Sequence, residues 1–524
     1  MVKHFNKLHA PLHSVNVYPS LRHQEQRFKV WGWAHAQARS LWDLWSDEEF
    51  LNSSLRTSLD TVEVFDEWEE FALFASHYFL LIASTKQAAH PQSTEQIKEL
   101  DPELNVASEF TVLAQCPPGS DQRRYGAVIP DSKISLGHHG GLGRQGRLVS
   151  TSLHAKSEEI TEPDLPFPPR DIPPRMCHTV AVLKNGDCLL VGGRGSPTSA
   201  LQDCWLRLEE EWHSTHSLPV ARFRHSAMRV TIDRDTECVL VYGGKTSGGE
   251  CLDSWIVWKN NRRGWQSVEV NGPKPSGRFG ACLGSLNSTS GILFGGIGPG
   301  GTILEDFWAW ELYQQSDGSL VLNVTDHTES LRSVAPLAKY LSRFGATIDR
   351  AIWGFVIVGG VMPRQTIPFD KEIMLLDLTK LLNRLNGTKP WSPDLVSSVG
   401  FGARYKGPRP LLIGHASCVV APDQVLILGG GAVCFSFGTF WTAGTWLLRQ
   451  PDPDVGNSWA LVSEWEPDGD ARKIPFRKLK QVYLKAGDIP SILRVTIQDS
   501  AQFHQVLANG KPVVIEGADI GPCT

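Results

Sequence analysis

Arg278-Phe279-Gly280-Ala281, then Leu293-Phe294-Gly295-Gly296, then Trp308: this run decides how the chain is read, because it returns again and again. Double glycines end apolar runs at Leu190-Val191-Gly192-Gly193, Val241-Tyr242-Gly243-Gly244, Val358-Gly359-Gly360 and Ile427-Leu428-Gly429-Gly430 as well. The second glycines stand at 193, 244, 296, 360 and 430, at spacings of 51, 52, 64 and 70 residues. An arginine-led turn precedes each pair: Arg175-Met176-Cys177-His178, Arg222-Phe223-Arg224-His225, Arg343-Phe344-Gly345-Ala346, and a looser Arg409 with Gly414-His415-Ala416. A weaker copy, Arg124-Tyr125-Gly126-Ala127 with Gly140-Gly141, opens the series, and Trp205, Trp255 and Trp446 follow their pairs as Trp308 does.

Each residue type has a physical reason to recur. Paired glycines let the chain take positive φ and pass close to a neighbouring strand. The apolar run before them suits a strand covered on both faces. The tryptophan is a wedge between adjacent sheets, and the arginine ties its turn to backbone carbonyls or to an acid of the next unit. Units of about fifty residues resemble the kelch repeat, in which each unit is one four-stranded blade. Six copies predict a mainly β chain with a six-bladed kelch-type β-propeller over 120–465. A β-sandwich with chance glycine pairs does not account for this regularity. The longer late intervals place insertions at Gln314–Leu337 and Leu381–Arg409, where loops tend to carry binding.

Outward from the repeats the pattern changes. Apolar residues at Trp31, Ala34, Ala38, Leu41, Trp42 and Trp45 match one helix face. Asp66 and Glu69 form a helix-start signal, and Trp68, Phe71, Ala72, Ala75, Tyr78, Phe79 and Ile82 continue with helical spacing. Leu73, Phe74, Leu80 and Leu81 fill the other face, so this helix asks to be buried in a larger body, and residues 1–90 look too few to bury it. The polar stretch 91–119 reads as a linker. The segment 470–524 opens with Arg472, Lys473, Arg477, Lys478, Lys480 and Lys485; a short helical pattern at Phe503, Val506 and Leu507 leads to the apolar strand Val513-Val514-Ile515.

Composition sets limits. With 51 Lys and Arg against 56 Asp and Glu, the formal charge is −5, so any nucleic-acid contact needs a local patch. Ten cysteines without a C-x-x-C pair give no zinc-finger or thioredoxin pattern and fit a reducing, cytoplasmic setting. No signal-peptide core opens the chain, and the longest apolar helix candidate, Phe71 to Ala83, is too short to span a bilayer.

The N-terminal stretches Gln26-Arg27-Phe28, Gly32-Trp33, Asp43-Leu44-Trp45 and Phe65-Asp66-Glu67-Trp68-Glu69-Glu70-Phe71 through Leu81 resemble the C-terminal end of leucine carboxyl methyltransferases. Gly510-Lys511-Pro512-Val513-Val514-Ile515-Glu516-Gly517 is similar to the entry of a JmjC-type cupin domain. Methyltransferase, kelch array and JmjC, in that order, resemble the tRNA wybutosine-synthesizing methyltransferases. The resemblance implies an S-adenosylmethionine-dependent enzyme that methylates a carboxyl group, with methoxycarbonylation beside it, during wybutosine biosynthesis on phenylalanine tRNA. It divides the chain into a methyltransferase-like C-terminal remnant (1–90), a linker, the propeller, and the start of a cupin-like domain (470–524). The donor site of such enzymes lies in a doubly wound α/β unit with a glycine-rich first turn. The residues before Gln26 contain no glycine, so the pocket is expected outside this chain, which looks shortened at both ends. A JmjC iron triad has no residues here either. No catalytic, cofactor-binding or metal-ligating residue is therefore assigned. A non-catalytic kelch scaffold for a protein or tRNA partner is the rival reading.

Candidate chemistry is weighed against plainer roles. Asp66, Glu67, Glu69 and Glu70 are candidate general bases but read better as helix N-terminal charges. His77 reads as a core histidine rather than a pocket residue, and His138-His139 as a loop rather than a metal site. His178, His225 and His415 share a repeat position and read as structural. Cys177, Cys282 and Cys418 read as buried thiols. The run Arg472–Lys485 is a candidate tRNA-phosphate contact, read first as a solvated linker. Arg123, Arg124, Arg144 and Arg147 read first as fold arginines.

Overall fold

The computed structural model describes residues 2–85 apart from 63, 64 and 66, residues 104–450 with interruptions (the longest at 116–121, 156–171 and 400–409), and two further strands. The chain forms two compact units, 1–456 and 457–524. In the second, Leu493–Thr496 pairs in parallel with Val513–Glu516, so the run Val513-Val514-Ile515 is a strand. The basic run Arg472–Lys485 and the expected helix at Phe503 lie outside the described residues.

The first unit is mainly β and holds a β-propeller. Five of its sheets have four or five strands, and one has three among the described residues. Sheet A comprises Ala127–Pro130, Ser135–His139 and Thr151–Ala155. Sheet B runs from Thr179–Val182 to Glu211–Thr215, sheet C from Ser226–Thr231 to Gly264–Ser267, and sheet D from Cys282–Ser285 to Leu320–Asp326. Sheet E runs from Thr347–Ala351 to Val396–Val399, and sheet F contains His415–Ala421, Gln424–Gly429 and Thr445–Arg449. The segment read as a linker also contributes: Thr111–Gln115 pairs antiparallel with Thr445–Arg449 as the fourth strand of F, and Asn105–Val106 lies parallel to Val396–Val399 on E. An N-terminal strand thus completes the C-terminal sheet. The first strands of A to F touch in order, and that of F returns to that of A.

The repeated residues act at these junctions. The second strands are the apolar runs, and those of B and E are buried throughout. Both glycines of each pair take positive φ, as at Gly243 (+68°) and Gly244 (+103°). A side chain would strain both, and the second glycine N–H is thereby aimed at the next sheet. Gly141 donates to Arg175 O, Gly193 to Arg222 O, Gly244 to Arg278 O, Gly296 to Arg343 O, Gly360 to Leu412 O and Gly430 to Arg123 O, at 2.8–3.2 Å. This cycle of donors passes through every sheet. Apolar clusters fill the gaps from B round to F and between F and A, with Trp255 and Trp308 in the one between C and D and Trp446 in the one between E and F, as wedges.

The arginines tie their turns within their own sheet, not to the next one. Arg175 donates to Gly192 O (2.9 Å) and Asp203, and Arg278 to Gly295 O (3.1 Å) and Asp306. Arg343 spends its donors on the carbonyls of Gly359, Glu372, Lys371 and Tyr340. In sheet A the equivalent residue is Arg123, which donates to Gly140 O at 2.8 Å; the first copy is therefore one residue out of the register read from Arg124. Arg409 lies outside the described residues.

The repeat histidines lock neighbouring sheets. His225 Nε2 meets Thr179 Oγ1 of the preceding sheet at 2.7 Å, and His415 Nε2 meets Thr347 Oγ1 at 3.1 Å. Burial lowers the pKa of His225 to about 3 and that of His415 to about 4, so both are neutral struts. His178 occupies the same position, and both His178 ring nitrogens are buried without a hydrogen-bond partner; the residue of sheet A at the repeat position of Thr179 and Thr347 is Ala127, which has no hydroxyl. Ala127→Ser is expected to supply the missing hydroxyl and raise stability by about 1 kcal/mol, read as a higher urea midpoint. A lowered midpoint would show that the His178 pocket has no room for the bond.

The insertion at Gln314–Leu337 is structural where described. It adds strand and helix, and Leu331 and Leu337 join Tyr340 and Leu341 in the core between D and E. His138 and His139 end a strand and are buried, where a loop was expected. Among the described residues no group of three or more His, Cys, Asp or Glu is placed to hold a metal. No described helix is long and apolar enough to cross a membrane.

The N-terminal segment departs most from its sequence pattern. Its helices are α1 (Val2–Lys7), α2 (His13–Val17), α3 (Leu21–Val30), α4 (Leu41–Trp45), α5 (Ser53–Val62) and α6 (Trp68–His77). Between them, β1 (His35–Ser40) pairs antiparallel with β2 (Phe79–Ser84). The expected helix over Trp31–Trp45 is thus a strand followed by one helical turn, and the helix expected to reach Ile82 stops at His77. Two half-elements explain why apolar residues filled every side of one helical wheel. His77 is exposed at the end of α6 rather than in a core. The segment also has its own burial partner: Trp42, Trp68, Ala72 and Ala75 pack with Phe279, Ile297, Phe344 and Val361 of the propeller.

Candidate functional site at the centre of the propeller

One residue from each sheet lines the innermost turn: Tyr125, Cys177, Arg224, Gly280, Gly345 and Gly414, all at φ between +53° and +71°. Their peptides bond in succession. Tyr125 N donates to Gly414 O, Cys177 N to Tyr125 O, Arg224 N to Cys177 O, Gly280 N to Arg224 O and Gly345 N to Gly280 O, at 2.6–2.9 Å. Left-handed backbone is cheap for the three glycines and costs about 1–3 kcal/mol at a residue with a side chain. Tyr125, Cys177 and Arg224 are held there by the ring, and two of these side chains have partners that matter.

Arg224 lies across the centre. Its guanidinium carbon sits 4.9 Å from the Tyr125 ring centroid in sheet A and 5.0 Å from that of Phe344 in sheet E, and neither sheet neighbours C. Above it stands the first turn of α6. Arg224 Nη1 donates to Glu69 Oε1 at 2.7 Å and Nη2 to Glu69 Oε2 at 3.0 Å, a two-point pair. Arg124 donates to Glu70, and the Tyr125 hydroxyl donates to Glu70 Oε2 at 3.0 Å. Glu69 and Glu70 are only 1% and 3% exposed. At Gly345 an added Cβ would sit 2.5 Å from Glu69 Oε1, so the glycine is also what lets the carboxylate descend into the ring.

Around this plug the segment is latched to sheets C, D and E. Trp42 Nε1 donates to Met362 O (2.8 Å), Trp45 Nε1 to Gly301 O (2.9 Å) and Arg56 Nε to Gly300 O (2.6 Å). Lys245 Nζ reaches Asp60 at 2.8 Å. α6 also rests against Gly431–Cys434 of sheet F, and the hairpins of A and B are not among these contacts.

The electrostatics follow from burial. Removal from water, and the neighbouring Glu69 charge, raise the Glu70 carboxyl to about 7 against the opposing pull of Arg124 and Arg224. Burial, then the two carboxylates, push the Tyr125 phenol well up, so it remains a donor. Because the Glu70 pKa is raised in the folded state, its contribution is fully present below about 4.5 and lost as pH rises through about 7. Protection of α6 from proteolysis is expected to weaken between pH 5.5 and 8, both within about one unit of that window, and Glu70→Gln is expected to flatten the change. The same slope in both proteins would remove Glu70 as its source.

The sequence-predicted residues sort accordingly. Glu69 and Glu70 stand in the first turn of α6 as expected, and there they are buried anchors of the segment. Asp66 lies outside the described residues, and the α6 N-cap, Glu67, makes no side-chain cap bond. Burial raises the Cys282 thiol to about 12, a core thiol rather than a nucleophile. Arg124 and Arg224 were not paired with these acids from sequence. A signal existed: a tyrosine, a cysteine and an arginine occupy a repeat slot that is glycine in the other three sheets.

The described residues of the N-terminal segment do not fit an adenosylmethionine site of the doubly wound type. The described strands of the N-terminal segment are one antiparallel pair, with no parallel strand, glycine-rich turn and helix to receive a dinucleotide-like cofactor. No step through that group is derived.

These features define a class: a β-propeller whose centre is stoppered by an acidic helix turn of its own N-terminal segment. Residues 172–444 match the family model described as tRNA wybutosine-synthesizing protein 4, beta-propeller. Proteins named tRNA wybutosine-synthesizing protein 4 from Aspergillus fumigatus and Aspergillus oryzae are 55% and 56% identical over all of this chain, and that of Emericella nidulans 49%. The chain spans about half the length of these curated relatives. It belongs to the tRNA wybutosine-synthesizing protein 4 family.

Proposed function

We propose that this chain is the central portion of a tRNA-modifying enzyme of wybutosine biosynthesis, in which a six-bladed, kelch-type propeller holds the end of an S-adenosylmethionine-dependent methyltransferase domain. The reading carries carboxyl methylation, with methoxycarbonylation, of the modified base of phenylalanine tRNA in the cytoplasm, and a cupin-like domain beginning near residue 470. The observation that carries it is the docked α6 turn. Two buried ion pairs and a tryptophan-rich seam attach a segment resembling leucine carboxyl methyltransferases rigidly to the ring. A methyltransferase so anchored keeps a fixed geometry toward whatever the propeller binds. The cyclic bonds from second glycines to carbonyls of the next sheet, through A to F, support six blades, with the three-stranded sheet A as one of them. The scaffold alternative has the same propeller without the chemistry.

Nucleoside mass spectrometry of phenylalanine tRNA tests the reading. In cells whose only copy of the gene is deleted, wybutosine is expected to disappear and its carboxyl precursor to accumulate; the full-length gene restores it. Unchanged wybutosine would favour the scaffold.

A further inference from the structure

The docked segment latches to C, D and E, rests α6 against Gly431–Cys434 of F, and leaves Gly438–Trp441 of F and the hairpins of A and B beside it. Three two-stranded hairpins form a crescent, with α6 against the first strand of one of them: Gly431–Cys434 with Gly438–Trp441, Leu142–Gly143 with Gly146–Arg147, and Arg194–Ser196 with Ser199–Ala200. They are linked side by side. Arg124 lies 5.2 Å from the Trp441 ring centroid and bridges to Leu142; Leu142 pairs with Arg147, and Ala200 with Arg194. Leu142 and Ala200 both pack on Met176, Cys177 and Phe223, which sets the Arg147 and Arg194 hairpins against each other.

The charge along this crescent is unbalanced. Arg124 and Arg224 are matched by Glu70 and Glu69. Arg147 has no such match: its Nε is buried without a hydrogen-bond partner, and burial and Arg194 both press its pKa downward. Exposed Arg144 stands three residues away, held by Gln122 Oε1 at 2.6 Å. Beyond Trp441, Phe440 presents an aromatic ring 46% exposed. Two guanidiniums without a carboxylate fit phosphate oxygens, and an exposed ring on the same crescent fits an unstacked base. An acidic peptide would satisfy the arginines but would leave the aromatic platform without a use.

We infer that this crescent binds the backbone of a single-stranded RNA loop, with Arg144 and Arg147 on phosphates and Phe440 under a base. The inference rests on the RNA part of the function proposed above and adds the surface. It places the RNA beside α6, along the hairpins of A and B and the exposed strand of F.

Fluorescence anisotropy of the 524-residue chain with labelled total tRNA, at low and physiological salt, tests it. Arg144→Glu with Arg147→Glu is expected to weaken binding at least tenfold and to reduce the salt slope by about 1.5. Arg144→Glu alone, at an exposed site, should carry part of the loss without affecting folding. Phe440→Ala should weaken binding about fivefold or more. Arg332→Glu with Lys389→Glu, exposed elsewhere, should change little. Wild-type affinity in the Arg144/Arg147 double variant would overturn the surface while leaving the wybutosine role to nucleoside analysis. No tRNA binding by the wild-type chain would overturn it too, as would equal dependence of a polyglutamate peptide on these arginines and no effect at Phe440.

Discussion

Arg224→Ala is expected to destabilise the docked state by about 3–5 kcal/mol and to release the N-terminal segment. The reason is the charge left behind. Glu69 is buried, and its two-point partner is Arg224. Without the guanidinium, a carboxylate stays in the ring beside Glu70, itself already driven toward its neutral form. The cation also fills the space between Tyr125 and Phe344, so alanine leaves a void across the centre. Urea unfolding would show the loss, and limited proteolysis would show cleavage before Trp68 ahead of the propeller. Arg224→Met with Glu69→Gln, which removes both charges at similar volume, is expected to recover most of the stability. Alanine variants that melt and digest like the wild type would show that the ion pair does not hold the segment.

Arg278→Ala is expected to lose a similar amount, about 3–5 kcal/mol, for a reason internal to one sheet. Arg278 is 1% exposed and joins Gly295 O, Ser276 O and both oxygens of Asp306. Asp306 in turn accepts from Trp308 Nε1 at 2.7 Å, so the arginine, acid and wedge tryptophan of the repeat form one unit. Arg222 holds the same position with carbonyls alone, those of Gly243 and Val220. Arg222→Ala orphans no carboxylate and should lose about 1–3 kcal/mol. Equal losses at the two sites would mean that the carbonyl bonds, not the acid, carry the arginine's contribution.

The repeats were legible because their chemistry is local. A glycine pair after an apolar run announces positive φ whatever surrounds it, with the arginine 17–22 residues before the second glycine and the tryptophan 11–16 after it. The errors came where locality fails. The spacing of Ala34, Ala38 and Leu41 suits a helix, yet His35–Ser40 pairs with Phe79–Ser84 some forty residues on, and short apolar runs do not distinguish the two by period alone. Thr111–Gln115 looks like linker because its partner, Thr445–Arg449, stands at the far end of the ring. The arginine register in the first copy slipped because Arg123 and Arg124 are adjacent, and only the bond to Gly140 O tells them apart.

The residue order alone determined that the chain would build a ring of small sheets, since glycine pairs, buried second strands and wedge tryptophans work through backbone geometry and near neighbours. What stands at the centre of that ring was decided in three dimensions. Glu69 and Glu70 sit where any helix would carry acids; their partners, Arg224 and Arg124, lie 155 and 54 residues away along the chain. Closure of the ring brought them within hydrogen-bond reach, and burial then turned two ordinary helix-start charges into the anchor of the N-terminal segment.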